Sequence, residues 1–507
     1  MRIVCFYFFV ICSYVTVAQK TDHQRIEQLT DLYFSESVET LRDWLRLPNY
    51  GRSMSDIEKN LDWCSRYFQE LDFNIYPLVS DTVPHLFADK IIDPSMPTVL
   101  FYLQIDGQPV DESLWHQPDP FDPVLKICDD PTCDTIPWSD LSKWQTFWKI
   151  YARSASDSKG PAMAFLSALY IMHRQEIKPA FNIKVIMDFQ EELGSPTLPA
   201  LVNREKALFT ADAMLIMDGT RHPSNLPTLT FGARGIATLQ LTVYGANKDL
   251  HSGQYGNFAP NPAFDLAHLL SSMKNSAGVV TIPGYYNGID FSEDVTAAKN
   301  SAYDDEAAMM KELGIIRTDS IGRTYQEALQ FPSFNIRGLS AGWTGAQVRT
   351  VIPATAVAEI DMRLVPETPA ERQIQLVKNH IRAQGFHMLD EPPTEVDRRT
   401  YPKLIMIQER IGSSPFRTDI ESPLGQFLEL AMVKALDSND FIKMQSTGGS
   451  QPIAPFVTAL NIPAVSVRIP NPNNNIHAPN ENLQLGNYYE GIQMCLAILT
   501  QPYISHE

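Results

Sequence analysis

The chain has 507 residues, 44% apolar and 20% charged, with a formal net charge of −18. That length calls for more than one core, and the composition is globular rather than disordered. The acidity argues against phosphate backbones, so no nucleic-acid partner is expected.

The first residues read as a signal peptide, assigned to 1–18. Arg2 supplies the positive start, residues 3–15 are apolar, and Thr16, Val17 and Ala18 offer small side chains for cleavage. No later run reaches the roughly 18 apolar residues of a bilayer span. The mature chain is therefore expected to be exported, periplasmic or extracellular, with no membrane span after signal removal. Cys5 and Cys12 would leave with the signal, while Cys64, Cys128, Cys133 and Cys495 remain. Cys128 and Cys133 flank a turn-like Asp-Asp-Pro-Thr segment, which suits a small disulfide loop in an oxidising compartment. A cysteine metal site is disfavoured, because there is no second cysteine pair.

Residues 21–47 carry apolar positions at helical spacing. Short apolar runs at 98–104, 183–189 and 213–217 predict buried strands, with an apolar helix over 161–174 between the first two. Strand, helix, strand in this order predicts an α/β fold with a mostly parallel, doubly wound sheet. From about 235 the texture changes. Residues 237–244 and 357–365 alternate in strand fashion, and helices are expected over 262–273 and 370–384. This reads as an inserted α+β lid or dimerisation domain over 235–414. The first pattern then returns with a helix over 423–436, a strand over 464–468 and a terminal helix from 487. The catalytic domain is thus expected in two parts, 19–234 and 415–507.

In open α/β sheets, ligands bind at the carboxyl ends of the strands. Polar clusters fall at or beyond such ends: Gln104-Ile-Asp106-Gly, Ser156-Asp157-Ser-Lys-Gly160, Gln190-Glu191-Glu192-Leu-Gly-Ser195, Met217-Asp218-Gly219 and Asn475-Ile-His477-Ala-Pro-Asn-Glu481. One acidic residue at a strand end is ordinarily a helix cap. A set built throughout of acidic, amide and imidazole groups suits a metal centre.

These segments resemble the carnosinase, succinyl-diaminopimelate desuccinylase and acetylornithine deacetylase superfamily of co-catalytic metallohydrolases. The resemblance runs from about 98 to 481. It rests on Ala155-Ser-Asp157-Ser-Lys-Gly160-Pro161, Glu191-Glu192-Leu-Gly-Ser195, Leu250-His251-Ser-Gly253, Thr447-Gly-Gly-Ser450 and His477-Ala-Pro-Asn-Glu481, in that order. The resemblance implies a two-metal catalytic domain interrupted by a lid that often mediates dimerisation. It implies that Asp157 bridges two metals, that Glu192 and His477 complete one site, and that Asp218 belongs to the other. Glu191 would be the general base, and Asp106 would orient the first ligand. His251, on the lid, would steady the oxyanion, often in the partner's site. Arg363 would grip a substrate carboxylate, with Asn335 and Ser450 as further substrate contacts.

One position departs from the pattern. The family's first ligand is a histidine two residues before an aspartate; here it is Gln104, with Asp106 retained. Asp106 is then expected to accept from the Gln104 amide and turn its carbonyl oxygen toward the metal. Gln104, Asp157 and Asp218 would form an all-oxygen site, weaker for zinc and tolerant of manganese, or one that stays empty. One or two divalent ions, zinc foremost, are therefore expected. His116 is a conceivable substitute ligand. The 124–151 segment, rich in tryptophan, would either narrow the pocket or pack on the surface. The leading function is a metal-dependent hydrolase of small peptides with a free carboxylate, dipeptidase or aminopeptidase-like and homodimeric. The alternatives are an N-acyl amino acid deacylase and a silent binding protein that has lost one metal site.

Overall fold

A computed structural model describes residues 22–129, 132–289, 302, 304–451 and 453–504. The segment read as a signal peptide lies outside the described residues. Its centre is an eight-stranded sheet in the order Asn74–Ser80, Val83–Lys90, Asn182–Asp188, Thr98–Gln104, Ala213–Ile216, Ala464–Arg468, Thr228–Thr230, Ile442–Met444. The four middle strands, Asn182–Asp188 to Ala464–Arg468, run parallel. They are buried on both faces, which is why they read as continuous apolar runs. Antiparallel strands join at both sides, so the sheet is parallel at its centre and mixed overall.

Helices cover both faces. On one, Asp22–Leu45, Lys159–Arg174, Pro423–Leu436 and Leu485–Thr500 enclose the larger core. Asp22–Leu45 turns Ile26, Phe34, Val38, Leu41 and Trp44 inward at helical spacing. Lys159–Arg174 packs closely because Gly160 lets its backbone approach that of Ala155; a β-carbon there would sit 2.0 Å from the Ala155 carbonyl oxygen. On the other face, Leu198–Arg204 and Ala454–Leu460 close a second core around Tyr102, Phe209 and Phe456.

Residues 235–411 build a second sheet in the order Asn335–Ser340, Thr355–Leu364, Gly235–Tyr244, Leu404–Ile411, His387–Leu389. Thr355–Leu364 buries every second residue from Ala356 to Leu364, the period-two pattern of a sheet with one covered face. Pro262–Met273 and Ala370–Ala383 contribute to that separate core.

The 124–151 segment forms an antiparallel sheet of Val124–Asp129, Thr132–Ile136, Lys149–Tyr151 and Asn482–Gln484. A Cys128–Cys133 disulfide ties its hairpin. Trp144 packs on Phe34 and Tyr489, so this tryptophan braces the helical layer. The pairing with Asn482–Gln484 also anchors the loop that carries His477. No helix among the described residues is long and apolar enough to cross a membrane.

Candidate metal centre and active site

The loop after Lys149–Tyr151 brings Asp157 to the strand edge, and Glu481 holds it there. Glu481 is fully buried. Its Oε1 accepts from the backbone N–H of Ser156 at 2.9 Å, from Ser156 Oγ at 3.0 Å and from the Asp157 N–H at 2.8 Å. Its Oε2 accepts from the Ser154 N–H at 2.9 Å and from Arg153 Nη1 at 2.7 Å. Because Glu481 lies four residues beyond His477, one carboxylate fastens the histidine loop to the aspartate loop.

A second pair of carboxylates shapes the Glu191–Leu193 turn. Asp106 Oδ1 accepts from the Glu191 N–H at 2.9 Å and Oδ2 from the Glu192 N–H at 3.1 Å. Asp188 accepts from the Gln190 N–H at 3.0 Å, from Tyr102 OH at 2.9 Å and from the Ser195 hydroxyl. The turn closes through Gly194 at φ 80°, a left-handed position suited to glycine. Asp106 therefore does not take the Gln104 amide, contrary to the sequence expectation. Its oxygens face the two backbone N–H groups of the turn instead, and Gln104 Nε2 is buried without a hydrogen-bond partner.

Asp157, Glu192 and His477 converge, with one ligand atom from each lying within 4.8 Å of the others. His477 Nε2 is 2.9 Å from Asp157 Oδ2 and 3.3 Å from Glu192 Oε2. The two carboxylates push the half-exposed imidazole up to about 10. Gln108, unnoticed in the sequence, donates from Nε2 to Glu192 Oε2 at 2.7 Å. Asp157 Oδ2 and Glu192 Oε1 are buried with no hydrogen-bond donor aligned on them. Buried carboxylate oxygens need a cation or a donor. Two carboxylates and an imidazole are a ligand set for a divalent ion with a position left open, so these residues fit one. Glu191 stands beside them. Burial, then Asp218 and Asp157, hold its carboxyl well above the usual carboxylate range. A base raised in this way suits proton transfer near neutrality.

Asp218 stands outside that trio. Ser158 Oγ donates to Asp218 Oδ1 at 2.5 Å and also lies 3.1 Å from Asp157 Oδ1. Burial and the nearby Asp157 raise the Asp218 carboxyl. His116 is exposed on its loop, where its backbone N–H donates to Asn480 Oδ1.

On the lid, Arg363 Nη1 donates to Ser450 Oγ at 2.9 Å, joining two residues read separately in the sequence. Arg234, missed in the sequence, lies beside them. Its backbone N–H donates to the Gly449 carbonyl at 3.1 Å. Burial and the neighbouring Arg363 lower its guanidinium to about 10. Two adjacent guanidinium groups and a hydroxyl make a receptor for a carboxylate. Asn335 is not joined to that group; its amide donates to Asp361 Oδ1 at 2.9 Å on an exposed strand. His251 is exposed, and its Nδ1 accepts from the Gly253 N–H at 3.1 Å. It lies apart from the Asp157, Glu192 and His477 trio within the described chain.

Comparison with known proteins agrees with this geometry. Over 510 residues the chain is 24% identical to the human beta-Ala-His dipeptidase, covering 94% of this chain and 92% of that protein. Over 422 residues it is 28% identical to the Cys-Gly metallodipeptidase of Schizosaccharomyces pombe, covering 79% of each. Among solved structures, the M20 family metallo-carboxypeptidase Sso-CP2 from Sulfolobus solfataricus matches with a TM-score of 0.74 and 25% identity, over 92% of this chain and 98% of that one. Human carnosine dipeptidase 1 shares the fold with a TM-score of 0.67 at 23% identity, over 94% and 98%. The model of peptidase family M20/M25/M40 matches residues 131–501. The chain therefore belongs to the peptidase family M20/M25/M40.

Proposed function

We propose that this chain is a metal-dependent dipeptidase that cleaves the amide bond of small peptides bearing a free carboxylate. The observation that carries the reading is the convergence of Asp157, Glu192 and His477 beside the buried Glu191. The relatives named beta-Ala-His and Cys-Gly dipeptidase support the substrate class. A divalent ion, zinc foremost, held by Asp157, Glu192 and His477 would polarise the scissile carbonyl and acidify water. Glu191 takes the proton from the attacking water and returns it to the leaving amine. Arg363, with Ser450 and Arg234, holds the substrate carboxylate and fixes which amide bond meets Glu191. Asp106 and Asp188 hold the turn so that Glu191 and Glu192 keep separate tasks.

Export of the mature chain belongs to the same reading, supported by the apolar segment 3–15 and the Cys128–Cys133 disulfide. So does a homodimer in which His251 from one subunit serves the other, supported by the exposure of His251 on the lid. A panel of dipeptides, C-terminally amidated dipeptides and N-acetyl amino acids tests the assignment. Dipeptide cleavage that is lost on amidation is the expected result. Preference for N-acetyl amino acids would make the chain a deacylase, and no turnover with metal bound would make it a binding protein.

A further inference from the structure

The family resemblance implies a second metal beside Asp218, where Gln104 stands in place of the family's histidine and Arg468 packs on the following Gly219. The strands Thr98–Gln104, Ala213–Ile216 and Ala464–Arg468 run side by side in parallel register, with Tyr102, Ile216 and Ser466 in one row. The strands on either side of Ala213–Ile216 end on Gln104 and on Arg468, and Asp218 follows the middle strand by two residues. One neighbouring strand thus ends on a neutral amide and the other on a guanidinium.

Arg468 is built into that place. It is 8% exposed. Its Nη1 donates to the Thr220 carbonyl at 3.0 Å. Gly219 follows Asp218 at φ 96°, and a β-carbon on it would lie 3.0 Å from Arg468 Cζ. The guanidinium thus lies flat against the backbone that carries Asp218, with Nε buried and without a hydrogen-bond partner. The Ser158 hydroxyl meets the carboxylate at Oδ1.

We propose that Arg468 is the resident cation of the Asp218 side, so that this chain binds a single divalent ion tightly, at Asp157, Glu192 and His477. An always-charged guanidinium beside Asp218 neutralises the ligand and repels a second dication. Gln104 offers a neutral amide where a strong ligand would be needed to overcome that repulsion. Among the described residues no Lys or Arg pairs with the carboxylates of the trio around His477; their partner is the imidazole, whose proton a metal would replace. This inference rests on the reading of that trio as a metal site.

The test is metal stoichiometry, measured by elemental analysis and by calorimetric zinc titration of the full chain, with melting temperature as a fold control. The wild type should hold about one zinc per chain, and Gln104→His should remain at about one because Arg468 is unchanged. Gln104→His combined with Arg468→Met should take up a second equivalent. Two tight equivalents in the wild type, or in Gln104→His alone, would overturn the role of Arg468. A well-folded double variant that stays at one equivalent would overturn it as well. Wild-type protein that binds no zinc or manganese would instead sink the metal-site reading beneath it. Should the double variant not fold, Gln104→His combined with Arg468→Gln, which keeps a donor for the Thr220 carbonyl but removes the charge, takes its place and should bind the second equivalent; one equivalent there would overturn the proposal.

Discussion

Glu481→Gln puts the latch between the two halves of the site to a direct test. The wild-type carboxylate presents two acceptor oxygens, one meeting three donors and the other meeting two, of which one is the Arg153 guanidinium. Glutamine keeps the shape but turns one acceptor into an N–H₂ donor. Either the Ser156 and Asp157 N–H groups or the Ser154 N–H and Arg153 then face another donor. Arg153 is only 3% exposed and is left without a charged partner. Breaking a buried pair in this way costs about 3–5 kcal/mol. Each buried N–H left without an acceptor adds to the penalty, at about 1–3 kcal/mol where it cannot relax. Urea unfolding, followed by tryptophan fluorescence, should therefore show a loss of at least about 3 kcal/mol. Zinc affinity should fall beyond what instability explains, because Asp157 and His477 lose their common tether. The readout that separates positioning from bulk stability is calorimetric zinc binding at a temperature where the variant is fully folded. A variant within about 1 kcal/mol of wild type, with unchanged zinc affinity, would refute the latch.

Other consequences are accessible to simpler assays. Glu191→Gln should lower kcat by about 10²- to 10⁴-fold while metal content stays near wild type; retained activity would remove Glu191 from the general-base role. Mixing inactive Glu191→Gln with inactive His251→Ala under confirmed subunit exchange should restore activity if the lid histidine serves the partner subunit, and no rescue would place the whole site in one chain. Arg363→Met should raise KM for free dipeptides about tenfold or more, toward the poor turnover expected of amidated ones; an unchanged KM for free dipeptides would show that Arg363 does not read the carboxylate.

The central strands were legible because burial on both faces makes them plain apolar runs, and the lid strands because burial on one face makes them alternate. The 124–151 sheet was not legible. Its strands are short, mix polar with apolar residues, and gain their partner from Asn482–Gln484, more than 300 residues away in the chain. The candidate ligands Asp157, Glu192 and His477 were readable as types placed after strands or in a loop. Their supports were not, since a support is defined by what it touches. Glu481 stood inside a recognised segment without its role being visible, and Asp106 was matched to the wrong partner. The two N–H groups it accepts come from a turn about 85 residues later. Arg234 went unread in the sequence, and Arg468 was read only as the end of a strand. Only the register of adjacent strands shows that Arg468 falls beside Asp218.

Charge balance at the strand edge explains why the chemistry concentrates where it does. Asp106, Asp157, Glu191, Glu192 and Asp218 bring five carboxylates toward one buried region, and burial raises all of them for which a shift is resolved. Each must be neutralised, hydrogen-bonded or protonated. Asp106 is met by two backbone N–H groups, and Asp218 by the Ser158 hydroxyl and the charge of Arg468. Asp157 and Glu192 have His477, yet each keeps a buried oxygen without an aligned donor. The unmet demand for positive charge therefore sits on Asp157 and Glu192, on the side facing His477. A divalent ion held by Asp157, Glu192 and His477 would meet that demand. Such an ion would also remove the electrostatic reason for His477 to stay protonated, and would leave Glu191, buried beside the trio, as the carboxylate free to take a proton.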